Sequence, residues 1–150
     1  MLAKVLGGDV EKLDRNIALY KSRAEEGDLN AQFNLGCHLL YGIGVSVDHC
    51  EAFKWFERAA KSGHIESMHM YGICFFDGEG VAKDVHEGLN WITRSGEAGY
   101  AASQYVLGYT YENGDGVAVD MHAAIKWYTL ASEAGYLKAK DALTRLSNLD

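Results

Sequence analysis

Cys50, His86 and His122 stand at intervals of 36 residues, and His38 and Cys74 share a second such interval. Thiol and imidazole at regular spacing raise the question of zinc, which binds thiolate sulfur and imidazole nitrogen. The spacing argues against it. In stacked units, equivalent positions lie about 8–10 Å apart, whereas zinc needs ligands at about 2.0–2.3 Å. No closely spaced Cys/His ligand pair supports a zinc site elsewhere in the chain. The Gly-x-Gly segments at 42–44, 78–80 and 114–116 lack the Lys-Ser/Thr ending of a phosphate-binding loop. There is no nucleophile elbow, and no candidate base has an obvious orienting partner. Each carboxylate pair reads as a helix cap or a solvated face. The expectation is a chain with no catalytic site, no metal and no cofactor.

Composition narrows the classes further. The chain has 150 residues, of which 48% are apolar, enough for one domain with a packed core. Its formal net charge is −7, with the acids scattered. Nucleic acid needs a clustered basic face, so it is excluded as the main ligand. No run approaches the roughly 18 apolar residues of a membrane span. The N-terminal MLAKVLGGDVEKLD has no secretory h-region. The expectation is a cytoplasmic protein, or a periplasmic or secreted one if a leader has been removed. Three cysteines, Cys37, Cys50 and Cys74, are too few and odd in number for a disulfide framework and read as reduced thiols. Proline is absent, so glycine must end the helices.

The elements that position these residues emerge when the chain is written in rows of 36 from Ala31, Ser67 and Ser103. Gly36, Gly72 and Gly108 align. So do the two loop glycines, the Asp48, Asp84 and Asp120 column, and the Trp55, Trp91 and Trp127 column. Of 17 glycines, 13 fall in shared columns, which makes this a repeat architecture. Each unit reads as two helices. The first covers about 30–41, 66–77 and 102–113, with an i, i+4, i+8 apolar stripe such as Ala31, Leu35 and Leu39. It ends at Gly-x-Gly, where glycine takes the positive φ of a C-cap and turn. The second covers about 49–62, 85–97 and 121–134, and it buries Ala52, Trp55 or Phe56, and Ala59. Asp48 with Glu51 and Asp84 with Glu87 read as capping boxes, while Asp120 has Ala123 in that place. The Trp column reads as the anchor of the second helix. Glycine inside the first helix costs about 1 kcal/mol against alanine, which close helix packing would offset.

The expected architecture is one all-α domain. A half repeat spans 10–30, with Leu13, Ile17, Tyr20 and Ala24 as its stripe. Full repeats span 31–66, 67–102 and 103–138, and a capping helix lies in 139–150. In that last segment Thr144 replaces the packing glycine, and Lys138, Lys140, Asp141 and Arg145 form a solvated face.

A-x-x-x-L-G at Ala31–Gly36, G-x-G-V-x-x-D at Gly42–Asp48, A-x-x-W at Ala52–Trp55 and A-A-x-x-G at Ala59–Gly63 together resemble the Sel1-like repeat family, relatives of the tetratricopeptide repeats. The resemblance implies a right-handed α-solenoid of antiparallel helix pairs and a non-catalytic adaptor or scaffold. Members act in protein quality control, bacterial signalling, host interaction and toxin–immunity pairs. Ser46, Ala82 and Ala118 stand where the family commonly has proline. The cysteines do not recur in corresponding places, so the disulfides of the family's cysteine-rich branch are not implied. Gly88 and Gly96 replace alanines in the middle repeat, whose second helix should be the weakest or should admit a close neighbour.

In related solenoids the first helices line the concave face. A helical wheel turns Phe33, Cys37, Leu40 and Tyr41 away from the core stripe, then His69, Ile73, Phe76 and Asp77, then Tyr105, Tyr109, Glu112 and Asn113. This surface is richer in aromatics than solvation needs, and such rings mark interaction sites or pack between repeats. Asp77 and Glu79, then Glu112 and Asp115, make one end of the groove acidic, where repeat one has Tyr41 and Ile43. The expected partner is a protein or peptide, apolar near repeat one and basic towards repeat three. An immunity or inhibitor protein that blocks a toxin would use the same surface. A hydrolase or small-molecule binder would instead need a closed pocket of buried ionisable groups.

Overall fold

The computed structural model describes residues 16–148. Helix α1 occupies 16–25, followed by α2 (Leu29–Tyr41), α3 (His49–Lys61), α4 (Ile65–Asp77), α5 (Val85–Glu97), α6 (Ala101–Asn113), α7 (Met121–Glu133) and α8 (Leu137–Ser147). No strand occurs among the described residues. From α2 onward each helix packs on the one that follows it. The result is a right-handed α-solenoid of antiparallel helix pairs. Residues 10–15 of the expected N-terminal half repeat, Leu13 among them, lie outside the described residues. In α1, Ala24 is fully buried, and Ile17 and Tyr20 pack on the core.

Each first helix ends on a glycine in the left-handed region, Gly42, Gly78 and Gly114 at φ 66°, 81° and 79°. The second loop glycine meets a further demand. A Cβ on Gly80 would run into the carbonyl of His49, and one on Gly116 into the side chain of Val85. The loop of one repeat therefore seats on the start of the preceding repeat's second helix, and only glycine fits there.

Asp48, Asp84 and Asp120 cap the second helices, accepting from the backbone N–H of Glu51, Glu87 and Ala123 at 2.9–3.0 Å. The reciprocal half of the expected capping boxes does not form. The backbone N–H of each Asp instead donates to a carbonyl of the preceding helix, Leu39, Phe75 or Tyr111, at 2.9 Å. Freed from that role, Glu51 and Glu87 accept from the indole N–H of Trp55 and Trp91, at 3.4 and 2.8 Å.

Trp91 is buried in the core, but Trp55 and Trp127 are not the central anchors of their helices. Phe56, Ile92 and Tyr128, one residue further on, are fully buried. Ala52, Phe56 and Ala59 continue one stripe at i, i+4 and i+7, and a residue one position earlier lies about 100° aside. Trp55 and Trp127 are half-buried, and Arg58 and Arg94 lie over the rings of Trp55 and Trp91. The buried rings explain the first-helix glycine. A Cβ on Gly36 would lie 2.6 Å from the Phe56 ring, and one on Gly108 2.5 Å from that of Tyr128. In the middle repeat Ile92 is smaller and backbone replaces ring. A Cβ on Gly72 would lie 2.7 Å from the Gly88 carbonyl oxygen, and one on Gly88 2.9 Å from the Phe76 nitrogen. The close approach expected of this repeat is found.

Candidate functional site: the first-helix face

The N-terminal halves of α2, α4 and α6 carry Phe33, His69 and Tyr105. Each ring stacks on an aromatic at the N-cap of the next first helix. Phe33 meets His64 at 5.5 Å between centroids, His69 meets Tyr100 at 5.3 Å, and Tyr105 meets Tyr136 at 5.1 Å. All three are half-buried. This ladder joins successive repeats along one edge of the face.

His69 also starts a hydrogen-bond chain whose direction is fixed by its last member. The Ile65 carbonyl can only accept, so Ser95 donates to it at 3.0 Å. Ser103 must then donate to Ser95 at 2.8 Å, which leaves His69 Nδ1–H to donate to Ser103 at 2.8 Å. The imidazole is held neutral with its proton on Nδ1, and burial pushes its pKa down to about 4. Ser103 is fully buried and its proton is committed to Ser95. The pair is therefore not arranged as a nucleophile and its base.

The C-terminal ends of the first helices are different. Tyr41 is 62% exposed and Tyr109 50%. Asp77 and Asn113, in the Tyr41 column, are also exposed, and the Asn113 amide donates to the Tyr109 carbonyl at 2.8 Å. Ile73 and Phe76 are half-buried, and Cys37 likewise. Leu40, placed by the wheel on the outward side, is buried at 6% exposure within the core. The same column continues with Phe76 and Glu112, both half-buried.

Glu112 is not a free rim acid. Its carboxylate pairs with Arg145 at 2.7 Å and accepts the Tyr128 hydroxyl, also at 2.7 Å. Those two contacts lower its pKa from the ordinary glutamate value, the Arg145 hydrogen bond first. They tie α6 and α7 to α8. Beside them lies a cleft of about 310 Å³ between α6 and α8, lined by Tyr105, Tyr109, Lys138, Asp141 and Arg145 among others. Sequence reading assigned Lys138 and Arg145 to a solvated cap and missed their place on this cleft. The signal available was their position one repeat after Ala102 and Tyr109, on the same face of the next first helix.

Charge is unevenly spread. Residues 65–120 hold nine acids and only two bases, Lys83 and Arg94. Both bases lie over rings, Lys83 at 6.0 Å from Phe76 and Arg94 at 4.4 Å from Trp91. The three cysteines are free. Burial pushes the thiols of Cys37 and Cys74 up to about 11 and 12, so both stay protonated at neutral pH. Among the described residues no three His, Cys, Asp or Glu side chains are grouped to hold a metal, and no helix is long and apolar enough to cross a membrane.

Comparison with known proteins places the repeat in context. The Sel1 repeat profile matches residues 29–64, 65–100 and 101–136. A Sel1 repeat protein from Oxalobacter formigenes is 33% identical with a TM-score of 0.80, over 86% of this chain and 53% of its own. A protective antigen of uropathogenic Escherichia coli strains, described as displaying an SLR fold, is 34% identical with a TM-score of 0.75, over 79% of this chain and 26% of its own. The chain thus spans about half the length of one relative and a quarter of the other. Cysteine-rich protein B of Helicobacter pylori shares the fold at 18% identity, with a TM-score of 0.70. No curated protein matches the chain.

Proposed function

Because the chain belongs to the Sel1 repeat family, whose members are generally protein-interaction scaffolds, we propose that it is a non-catalytic adaptor holding a protein or peptide along the face of its first helices. One observation carries this reading. Tyr41 and Tyr109 stand exposed on that face while the Phe33, His69 and Tyr105 rings are locked between repeats. Tyrosine buries much area at low entropic cost, so a folded chain that leaves two on one face offers them to a partner. Phe76, Ile73, Asp77 and Asn113 lie beside them and set the chemistry around these anchors. The partner's matching surface is basic, since acids outnumber bases so heavily in residues 65–120.

The test is affinity capture with intact protein and with a Tyr41→Ala/Tyr109→Ala variant whose helical content is unchanged. The variant should lose the partner that the intact chain retains. Equal recovery of the same partner would move the site off this face. A captured complex that persists unchanged from low to high salt would remove the basic partner from the reading.

A further inference from the structure

We propose that Asn113 is a site of slow deamidation, held shut by the last turn of α6, whose opening turns a neutral side chain of the first-helix face into a carboxylate. Of the six asparagines in the chain, Asn113 alone is followed by glycine. That neighbour matters because the main-chain nitrogen after an asparagine can attack the side-chain amide carbon. A following side chain obstructs the approach, and glycine has none. Attack by the Gly114 nitrogen on Asn113 Cγ forms a C–N bond, gives up the nitrogen's proton and expels the side-chain nitrogen as ammonia. The product is a succinimide ring. Solvent water then opens the ring at one carbonyl or the other. One opening leaves aspartate, and the other leaves an isoaspartyl link in which the main chain runs through the side-chain carbon. Either product carries a negative charge where there was none, and the loss of ammonia makes the change permanent.

Asn113 is exposed, so water reaches it. Both reacting groups are nevertheless tied to carbonyls of the same turn. The Asn113 amide donates to the Tyr109 carbonyl, and the Gly114 N–H donates to the Thr110 carbonyl, each at 2.8 Å. While those bonds hold, the nitrogen keeps its proton and the amide cannot swing to meet it. The turn is fixed from the loop side as well. Asp115 N–H donates to the same Thr110 carbonyl at 3.1 Å, and Asp120 N–H to the Tyr111 carbonyl at 2.9 Å. Gly116 is seated against Val85 at the start of α5. Reaction therefore waits for the end of α6 to open, and its rate in the folded chain is the free-peptide rate scaled by the fraction open. Asn113 shares its column with Asp77, so the aspartyl product gives repeat three the charge that repeat two already carries. On the protein-binding reading above, that charge adds to the pull on a basic partner.

The test follows Asn113 by mass spectrometry in the full chain and in a synthetic peptide of residues 108–118, both in one mildly alkaline buffer. The peptide should convert at least about tenfold faster than the folded chain. Gly116→Ala, whose Cβ would run into Val85, should free the end of α6 and speed conversion in the full chain by about tenfold. Gly80→Ala does the same kind of damage one repeat earlier and should leave the Asn113 rate within about twofold. A peptide that does not convert, or a folded chain that keeps pace with it, would overturn the proposal. So would a Gly116→Ala chain that converts no faster than the native one. Equal acceleration by Gly80→Ala would overturn it too, because global unfolding would then be the route. All of these rates are read on the free chain, so they stand or fall independently of the protein-binding reading.

Discussion

Replacing Gly80 by alanine tests the claim that each loop is built against the repeat before it. Two costs are expected. Gly80 has φ of 73°, and an L-residue in the left-handed region costs about 1–2 kcal/mol. Its new Cβ would also drive into the His49 carbonyl, which belongs to the first turn of α3 and cannot swing away like a side chain. Such overpacking typically costs about 1–3 kcal/mol. Gly63 isolates the first cost, since it has φ of 93° and nothing within 4 Å of its Cβ position. Gly63→Ala should therefore cost about 1–2 kcal/mol and Gly80→Ala about 2–5 kcal/mol. For a chain of this size the difference is several degrees in Tm. Urea unfolding followed by circular dichroism and by tryptophan fluorescence gives both values, with coincident curves establishing all-or-none loss. If the two variants fall within about 0.5 kcal/mol of each other, the loop does not bear on the preceding repeat.

Two other positions give independent checks. His69 binds a proton at pH about 4 when folded, against 6.5 when unfolded. Between those values the unfolded chain holds more protons, so the His69 contribution to stability falls on acidification, by roughly 3–4 kcal/mol across the window, and is flat above it. His69→Phe should flatten that limb, and an imidazole resonance titrating near its ordinary value would refute the buried, Nδ1-protonated assignment. Gln104 donates to the Gly96 carbonyl at 3.0 Å, while its own Oε1 finds no protein donor. The carbonyl also accepts from Gly99 N–H at 3.0 Å, and Met68 fills the equivalent place in the middle repeat. Gln104→Met should leave stability equal or raise it by up to about 1 kcal/mol, measured by the urea midpoint; a loss larger than that would show the amide is required.

Helix limits were legible because glycine writes them. Expected starts at about 30, 66 and 102 fall within one residue of Leu29, Ile65 and Ala101. Whether Trp55 or Phe56 is central was not legible from size or polarity; it depends on the continuity of the Ala52–Phe56–Ala59 stripe. The half-formed capping boxes were hidden for another reason. The Asp48 N–H is taken by Leu39 across the loop, a contact that no local pattern records. Glu112 looked like a free acid because Arg145 lies 33 residues away. The aromatic ladder did leave a trace, since Phe33 and His64, His69 and Tyr100, and Tyr105 and Tyr136 all stand 31 residues apart. That offset crosses the repeat boundary, so aligning columns by 36 conceals it.

The ring ladder grips first helices near their beginnings, and the seated glycine loops grip α4 and α6 where they finish. Rods clamped at both extremities have little freedom to splay or slide. A visitor landing across them meets a surface already in its final shape, so little of the encounter's free energy is spent on ordering the host. Selectivity then resides in the few side chains that vary from rung to rung, and exchanging those should redirect the scaffold without rebuilding it.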